Sequence, residues 1–134
     1  MDKGVDLPSY AHAHDAAFDL RAAQDYLLKP LDHAMVKTGL KMAIPKGHVG
    51  LIWDRSGLAA TNAVTTMAGV IDAGYRGEIA VVMINLGKEE FKVERGMRIA
   101  QMLIQPVLNM PIEEVDELEG SARGAGGFGS TGFH

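Results

Sequence analysis

The chain has 134 residues, no cysteine and a formal net charge of −4. Apolar residues make up 47% of the sequence and charged residues 22%, a composition typical of one folded domain and not of a disordered chain. The acidic balance argues against a broad electrostatic interaction with DNA or RNA, so we expect no nucleic-acid partner.

The lack of cysteine excludes a disulfide framework, a cysteine-ligated zinc site and a cysteine nucleophile. The longest apolar runs, such as residues 79–86, are far shorter than the ~20 residues that span a membrane. The first residues lack the basic and then apolar pattern of a secretory signal. The sequence therefore predicts a cytoplasmic protein that makes no membrane contact.

The middle of the chain has the alternation of apolar and polar residues that predicts β-strands. Turn-forming residues separate these runs at intervals of about 8 to 12 residues, which is typical of a β-sandwich or barrel. The run at 78–86 is apolar on both faces, as expected for a strand buried on two sides. Gln101 and Gln105 share one side of the last run. We predict strands at residues 35–44, 49–53, 78–86 and 98–107, and one short helix over residues 57–68.

The C-terminal residues differ from the rest of the chain. Residues 124–132 are rich in glycine and cannot form a core by themselves, so we predict a folded domain over residues 1–120 and a flexible arm over residues 121–134. The arm is either a disordered tail or a segment that becomes ordered over an anionic, aromatic ligand. The second interpretation depends on a cation, a stacking face and two hydroxyls, which are supplied by Arg123, Phe128, Ser130 and Thr131.

Two other motifs are weak. Gly124, Gly126 and Gly129 match the spacing of a dinucleotide-binding fingerprint, but no strand, turn and helix surround them, so we reject that interpretation. His12 and His14 could contribute to a metal site, but no second cluster of ligands accompanies them, which favours an ordinary loop.

Two segments carry groups suited to chemistry. Arg55, Ser56 and Gly57 lie where a predicted strand meets the predicted helix, and they offer a guanidinium, a hydroxyl and backbone N–H groups. Such a junction is either a phosphate cradle or a capped surface turn. Glycines at both ends of residues 69–78 predict a tight β-hairpin with Asp72 and Tyr75 near its bend. The carboxylate of Asp72 either orients and deprotonates a water molecule or forms the turn itself.

Five segments together carry a resemblance to a known family. The sequence resembles the trimeric dUTP pyrophosphatases, or dUTPases, and the segments that carry this resemblance are residues 16–23 (AAFDLRAA), 55–59 (RSGLA), 69–78 (GVIDAGYRGE), 95–101 (RGMRIAQ) and 123–132 (RGAGGFGSTG). The resemblance implies a mainly β subunit, a distorted jelly-roll β-barrel with one short helix and a flexible glycine-rich C-terminal arm. It also implies a homotrimer with shared active sites, in which the arm closes over the site of a neighbouring chain.

The same resemblance implies the reaction. Members hydrolyse dUTP to dUMP and pyrophosphate with Mg²⁺, which limits uracil in DNA and supplies dUMP for thymidylate synthesis. Asp72 is similar to the catalytic carboxylate that activates the water attacking the α-phosphorus. Asp19 resembles the acidic residue that holds the metal through water, while substrate phosphates supply the remaining ligands.

The substrate-binding residues that the resemblance implies fall into four groups: a triphosphate cradle, a hairpin that reads the uracil edge, a phosphate-side amide, and the arm. Tyr75 is similar to the residue that leaves no room for a 2′-hydroxyl, and Phe128 to the one that stacks on uracil. The full set is Arg55, Ser56, Gly57, Thr66, Gly69, Val70, Ile71, Tyr75, Ala80, Gln101, Arg123, Phe128, Gly129, Ser130 and Thr131.

Three positions depart from the family pattern: Ala17 stands where glycine is usual, Asp54 where proline is frequent and Met97 where aspartate is usual. Asp54 precedes Arg55, so its charge either weakens phosphate binding or orients the guanidinium.

Three other functions compete with the dUTPase interpretation. A dCTP deaminase would share the fold but lack the glycine-rich arm. A regulatory protein would bind the nucleotide without turnover. A structural jelly-roll module would leave the five segments unexplained.

Overall fold

The structure is a computed structural model that describes residues 4–129. Its described part contains nine strands and one short helix. The elements are β1 (Phe18–Arg21), β2 (Tyr26–Leu28), β3 (His33–Leu40), β4 (His48–Trp53), α1 (Ser56–Asn62), β5 (Val64–Thr66), β6 (Val70–Ile71), β7 (Ile79–Asn85), β8 (Phe91–Val93) and β9 (Arg98–Pro106).

The strands form three antiparallel sheets around one apolar core. The largest sheet has the order β1-β9-β4-β6, the second has the order β3-β7-β5, and β2 pairs with β8. Each sheet contributes one buried face, because side chains alternate along a strand. The buried strand residues include Leu20, Val49, Ile52, Ile99, Ala100 and Met102 from the first sheet, Val36, Leu40, Val64, Ile79, Val81 and Met83 from the second, and Leu28, Phe91 and Val93 from the third.

The predicted fold class, mainly β with one short helix, is confirmed. All four predicted strands are present with shifted ends. β3 ends at Leu40, earlier than predicted, where Leu40 pairs with Ile79, the first residue of β7; a bulge between Lys37 and Leu40 shifts the register just before this end. The Thr38 hydroxyl donates a hydrogen bond to the Ile79 carbonyl there (2.6 Å). β7 alternates between buried and partly buried residues, so one face of this strand is fully buried and the other only in part.

The predicted helix over 57–68 is too long. α1 ends at Asn62, and the next residue, Ala63, adopts a left-handed conformation with φ of 54° that ends the helix. The following Val64, Thr65 and Thr66 are β-branched, which favours strand over helix, and they form β5 against β7.

The hairpin at residues 69–78 is wider than the sequence predicts. Its two arms are β5 and β7, with Thr66 opposite Met83. Between these arms β6 leaves to pair with the edge of β4, so β6 joins a different sheet from β7. The bend itself is present, since the backbone N–H of Tyr75 donates to the carbonyl of Asp72 (3.1 Å).

The described residues after Pro106 contain neither helix nor strand, and nearly all of them are exposed. They include large apolar side chains at Leu108, Met110, Ile112 and Leu118. The division into a domain of residues 1–120 and an arm of residues 121–134 stays a prediction. Within residues 4–129, no helix has the length and apolar character needed to cross a membrane.

Gly69 is required where the chain approaches β4 closely before it enters β6. Its φ is +140°, and a Cβ at this position would lie 2.6 Å from the Cβ of Ile52. We expect Gly69→Ala to destabilise the protein by about 2 kcal/mol or more, because it adds both backbone strain and overpacking. The control is Gly74→Ala, since a Cβ there meets nothing within 4 Å. Urea unfolding at one fixed protein concentration measures both, and equal midpoints for the two variants would contradict this account.

Candidate active site

Three of the predicted site residues meet on the four-stranded sheet. Asp19 on β1 is level with Gln101 on β9, which in turn is level with Trp53 on β4. The carboxylate of Asp19 lies between two guanidinium groups, with Arg55 Nε at 3.4 Å and Arg98 Nε at 3.6 Å. The three side chains are only partly buried, so the pair of arginines remains open to an anion.

The predicted cradle lies at the start of α1. Arg55 is the residue immediately before the helix, in an extended conformation, and its side chain makes no capping hydrogen bond. Its guanidinium turns towards β9, where it donates to the carbonyl of Arg98 (3.4 Å) and pairs with Asp19. Ser56 and Gly57 are exposed, and a Cβ at Gly57 would meet nothing. Within a single chain, Ser56 and Gly57 of the predicted cradle are therefore accessible to a ligand.

Asp54 fixes the backbone directly before the cradle. Its carboxylate accepts hydrogen bonds from the Thr65 hydroxyl (2.5 Å), the Thr66 hydroxyl (2.7 Å) and the Thr66 backbone N–H (2.7 Å). Its carbonyl accepts a hydrogen bond from Gln101 Nε2 (2.8 Å). Asp54 does not orient the guanidinium of Arg55 by direct pairing, because its carboxylate binds β5, whereas the ion-pair partner of Arg55 is Asp19.

These contacts shift the ionisation of Asp54. Burial by itself would raise the pKa of the carboxyl, but the hydrogen bonds from Thr65 and Thr66 outweigh it and lower the pKa below the ordinary 3.8. Because the pKa of Asp54 is lower in the folded than in the unfolded protein, the ionised carboxylate stabilises the fold at pH values above the unfolded-state pKa. That contribution is lost only as the pH falls through the lowered pKa, so the contacts persist at neutral and mildly acid pH.

The second group of predicted residues lies on the loop between β6 and β7. Asp72 is exposed, and among residues 4–129 its carboxylate has neither a hydrogen-bond nor an ion-pair partner. The hydroxyl of Tyr75 donates to the carbonyl of Glu78 (2.8 Å), and its ring lies against Gly77, where a Cβ would collide with it. The Tyr75 ring is thus held in a fixed position on the loop that also carries the unpaired carboxylate of Asp72. Gly69, Val70 and Ile71 precede this loop, and Ala80 follows it on β7, level with Lys37.

The two groups lie at opposite ends of β4. Antiparallel pairing of Leu51 with Val70 puts Asp72, two residues further on, level with position 49. Arg55 instead follows Trp53, the last residue of β4. The strand rises roughly 13 Å from position 49 to position 53, and Arg55 lies beyond that. One chain therefore does not bring Asp72 and Arg55 to the same phosphate group.

An exposed apolar strip crosses the sheet between the two groups. Trp53 is 58% exposed and Val70 is 68% exposed, and they share a sheet face with Leu51 and Leu103. A strip of this kind on a folded domain typically marks a surface that another chain covers.

The described part of the arm, up to Gly129, makes neither a hydrogen bond nor an ion pair with either group. Phe128 is fully exposed, and Gly124 and Gly129 have positive φ of 60° and 81°. The Ser121 hydroxyl accepts a hydrogen bond from the Gly124 N–H (3.1 Å) and thereby closes a turn around Arg123. Ser130 and Thr131, which the resemblance assigns to the terminal phosphates, lie outside the described residues.

The structure identifies two contributors that sequence reasoning did not assign to the site. Arg98 is the second partner of Asp19, and Thr65 holds Asp54 together with Thr66, which was already assigned. Arg98 belongs to the segment RGMRIAQ, so its position within that motif could have identified it. Nothing in the sequence pairs Thr65 with Asp54, since this contact exists only once β5 forms. The His12 segment is a turn closed by the Asp15 carboxylate (2.8 Å).

The donor set around Asp19 can be compared with the needs of Mg²⁺. Among the described residues no three His, Cys, Asp or Glu side chains come together. Asp19 offers a hard oxygen of the kind that Mg²⁺ prefers, and two arginines flank it. This arrangement fits a Mg²⁺ ion that takes most of its ligands from phosphate and water, with Asp19 in the outer shell. It does not fit a metal held by protein ligands alone.

Comparison with known proteins identifies the family. The family model described as dUTPase matches residues 3–132. A deoxyuridine 5'-triphosphate nucleotidohydrolase of Clostridium tetani is 50% identical over 98% of this chain and 92% of its own length. The protein of the same name from Rhizobium meliloti is 49% identical over 97% of this chain and 85% of its own.

Solved structures have the same fold. A Staphylococcus bacteriophage 80alpha dUTPase mutant with dUpNHpp has a TM-score of 0.92 and 30% identity, covering 98% of this chain and 94% of that one. A mutant dUTPase from phage phi11 of S. aureus, described as revealing the coordination of a structural Mg(II) ion, has a TM-score of 0.82 and 26% identity over 89% and 95% of the two chains. Fold and site thus define a β-sheet nucleotide hydrolase. The chain belongs to the dUTPase family.

Proposed function

We propose that the protein hydrolyses dUTP to dUMP and pyrophosphate in active sites shared between the subunits of a homotrimer. Membership of the dUTPase family supports dUTP as the substrate. The observation that supports a site shared between subunits is the separation of Asp72 from Arg55 along β4. A cradle from one copy and a loop from a neighbour can meet across a heterologous interface, which closes into a ring in a cyclic trimer. The exposed strip around Trp53 provides a surface for that interface.

Asp72 acts as the general base. Its free carboxylate accepts a proton from water while the water oxygen bonds to the α-phosphorus. The bond from that phosphorus to the bridging oxygen breaks, and pyrophosphate leaves with the electron pair. Hydrolysis of a phosphoanhydride needs positioning and charge neutralisation more than covalent help, so one base and several cations suffice.

The cradle holds the triphosphate. Arg55 offers a guanidinium, Ser56 a hydroxyl and Gly57 an unobstructed backbone approach. Gln101 uses one amide hydrogen on the carbonyl of Asp54, which leaves its second amide hydrogen for a phosphate oxygen.

Asp19 would hold a Mg²⁺ ion through water, with substrate phosphates as the remaining ligands, and such an ion would supply neutralisation of the phosphate charge. Asp19 also holds Arg55 and Arg98 apart in defined positions, because it pairs with both.

The loop selects base and sugar. Main-chain groups of residues 69–80 face the uracil edge, so cytosine is rejected because its hydrogen-bonding groups are reversed, and thymine because its methyl group has no space. Thr66, at the end of β5, precedes residues 69–80. The Tyr75 ring, fixed by Glu78, stacks against deoxyribose and leaves no room for a 2′-hydroxyl.

The arm closes the site. Arg123 binds the γ-phosphate, Phe128 stacks on uracil, and Gly129, Ser130 and Thr131 bind the terminal phosphate oxygens. Ordering a glycine-rich segment is entropically unfavourable, so closure requires the full triphosphate. Closure excludes bulk water and strengthens the local electrostatic interactions. The resulting activity limits uracil in DNA and supplies dUMP.

The function is tested by pyrophosphate release from dUTP, dCTP, dTTP and UTP in parallel, with Mg²⁺ and with EDTA. We expect dUTP to be preferred by roughly a thousandfold or more, because the other three lose hydrogen bonds or collide with the loop. We expect EDTA to abolish turnover. Ammonia release from dCTP would indicate a deaminase instead, and binding of dUTP without pyrophosphate release would indicate a regulatory protein.

Replacement of Asp72 tests the base. Asp72→Asn keeps the shape of the side chain but cannot accept the proton, so we expect kcat to fall roughly a thousandfold while dUTP still binds. Steady-state kinetics and nucleotide titration measure the two effects. Asp32→Asn, at an exposed turn, is the control for the lost charge. An Asp72→Asn enzyme with most of its activity would disprove the assignment.

Removal of residues 123–134 tests the arm. We expect kcat/KM to fall about a hundredfold or more, because the site stays open to water. Light scattering should still give a trimer. Phe128→Ala is the milder companion variant, with a smaller loss caused by the missing stacking face. Normal turnover by the truncated protein would show that the arm does not belong to the site.

A further inference from the structure

Asp54 connects three strands at the point where the cradle begins. Its carboxylate binds Thr65 and Thr66 on β5 through three hydrogen bonds, and its carbonyl binds Gln101 on β9. Hydrogen bonds to a charged acceptor are roughly twice as strong as those between neutral groups. The backbone at Asp54 is therefore held by β5 and by β9, and these contacts fix the position of the backbone at Arg55.

The orientation of Asp54 also keeps a negative charge away from the cradle. Both carboxylate oxygens are engaged by β5, with Oδ2 on Thr65 and Oδ1 on Thr66. The guanidinium of Arg55 instead pairs with Asp19 and reaches the carbonyl of Arg98. The guanidinium is thus not paired with the carboxylate that neighbours it in sequence.

We propose that Asp54 is a positioning residue for triphosphate binding: held by Thr65 and Thr66, it fixes the backbone that carries Arg55 while its own charge points away from the phosphates. This inference rests on the proposed function, because it takes Arg55 as a phosphate ligand. Asp54 itself touches no substrate. Its effect on binding is transmitted through the adjacent peptide and through Gln101.

The test compares two ligands that differ in their phosphates. Asp54→Ala removes the carboxylate, and we expect the Kd for the analogue dUpNHpp to rise about tenfold, as for the loss of one good charged hydrogen bond. The Kd for dUMP should change less than twofold, because dUMP lacks the β- and γ-phosphates. General loosening of the protein would weaken both ligands alike. Calorimetric titration of the intact trimer measures both constants.

A second pair of variants works even if Asp54→Ala does not fold. Thr65→Val keeps the volume but deletes the hydroxyl bonded to Oδ2, whereas Thr65→Ser keeps that hydroxyl. We expect Thr65→Val to raise the Kd for dUpNHpp several-fold and Thr65→Ser to bind dUpNHpp as the wild type does. Combining Asp54→Ala with Thr65→Val should add little to Asp54→Ala alone, because both remove the same contact.

The outcomes separate this inference from the proposed function. If the wild-type protein fails to bind dUpNHpp, the proposed function fails and the role of Asp54 fails with it. If the wild type binds and both Asp54→Ala and Thr65→Val bind equally well, the positioning role is overturned while the function stands. Asp32→Asn removes one carboxylate elsewhere and should bind both ligands as the wild type does. Equal weakening in that control would attribute the effect to net charge.

Discussion

The pairing of β4 with β9 on one side and β6 on the other is the constraint on which the rest of the site depends. Pairing with β9 aligns Trp53, Gln101 and Asp19, and so gathers the proposed phosphate-binding groups at one end of the sheet. Pairing with β6 carries Asp72 to the other end. The register thus separates Asp72 from Arg55 within one chain, and in the proposed function a second copy of the chain brings the two groups together.

Charge is distributed to suit an anionic substrate on an acidic protein. The net charge of −4 would repel a nucleotide in general, yet Asp19 holds Arg55 and Arg98 at one place on the sheet. Asp54 directly precedes Arg55 in sequence, but its carboxylate accepts hydrogen bonds from hydroxyl groups of β5. One positive charge remains in the cluster of Asp19, Arg55 and Arg98, because two guanidinium groups share a single carboxylate while the carboxylate of Asp54 is bound by β5.

The sequence predicts local features better than distant pairings. Alternation predicts β4 and β9, and the junction after β4 correctly places Arg55 at the start of the helix. The helix is predicted too long because the left-handed turn at Ala63 leaves no clear signal in composition. The contact of Asp54 with Thr65 and the departure of β6 towards β4 depend on which strands meet, which periodicity alone does not specify. The roles of individual site residues come from resemblance and remain predictions.

The shared site is tested most directly by mixing two inactive variants. Asp72→Asn lacks the base and Arg55→Ala lacks the cradle cation, and each should be nearly inactive alone. If base and cradle come from different copies, trimers refolded from an equal mixture contain intact sites, about a quarter of the total when subunits mix at random. The account predicts dUTP hydrolysis well above that of either variant. Activity no greater than the sum of the two separate variants would contradict it.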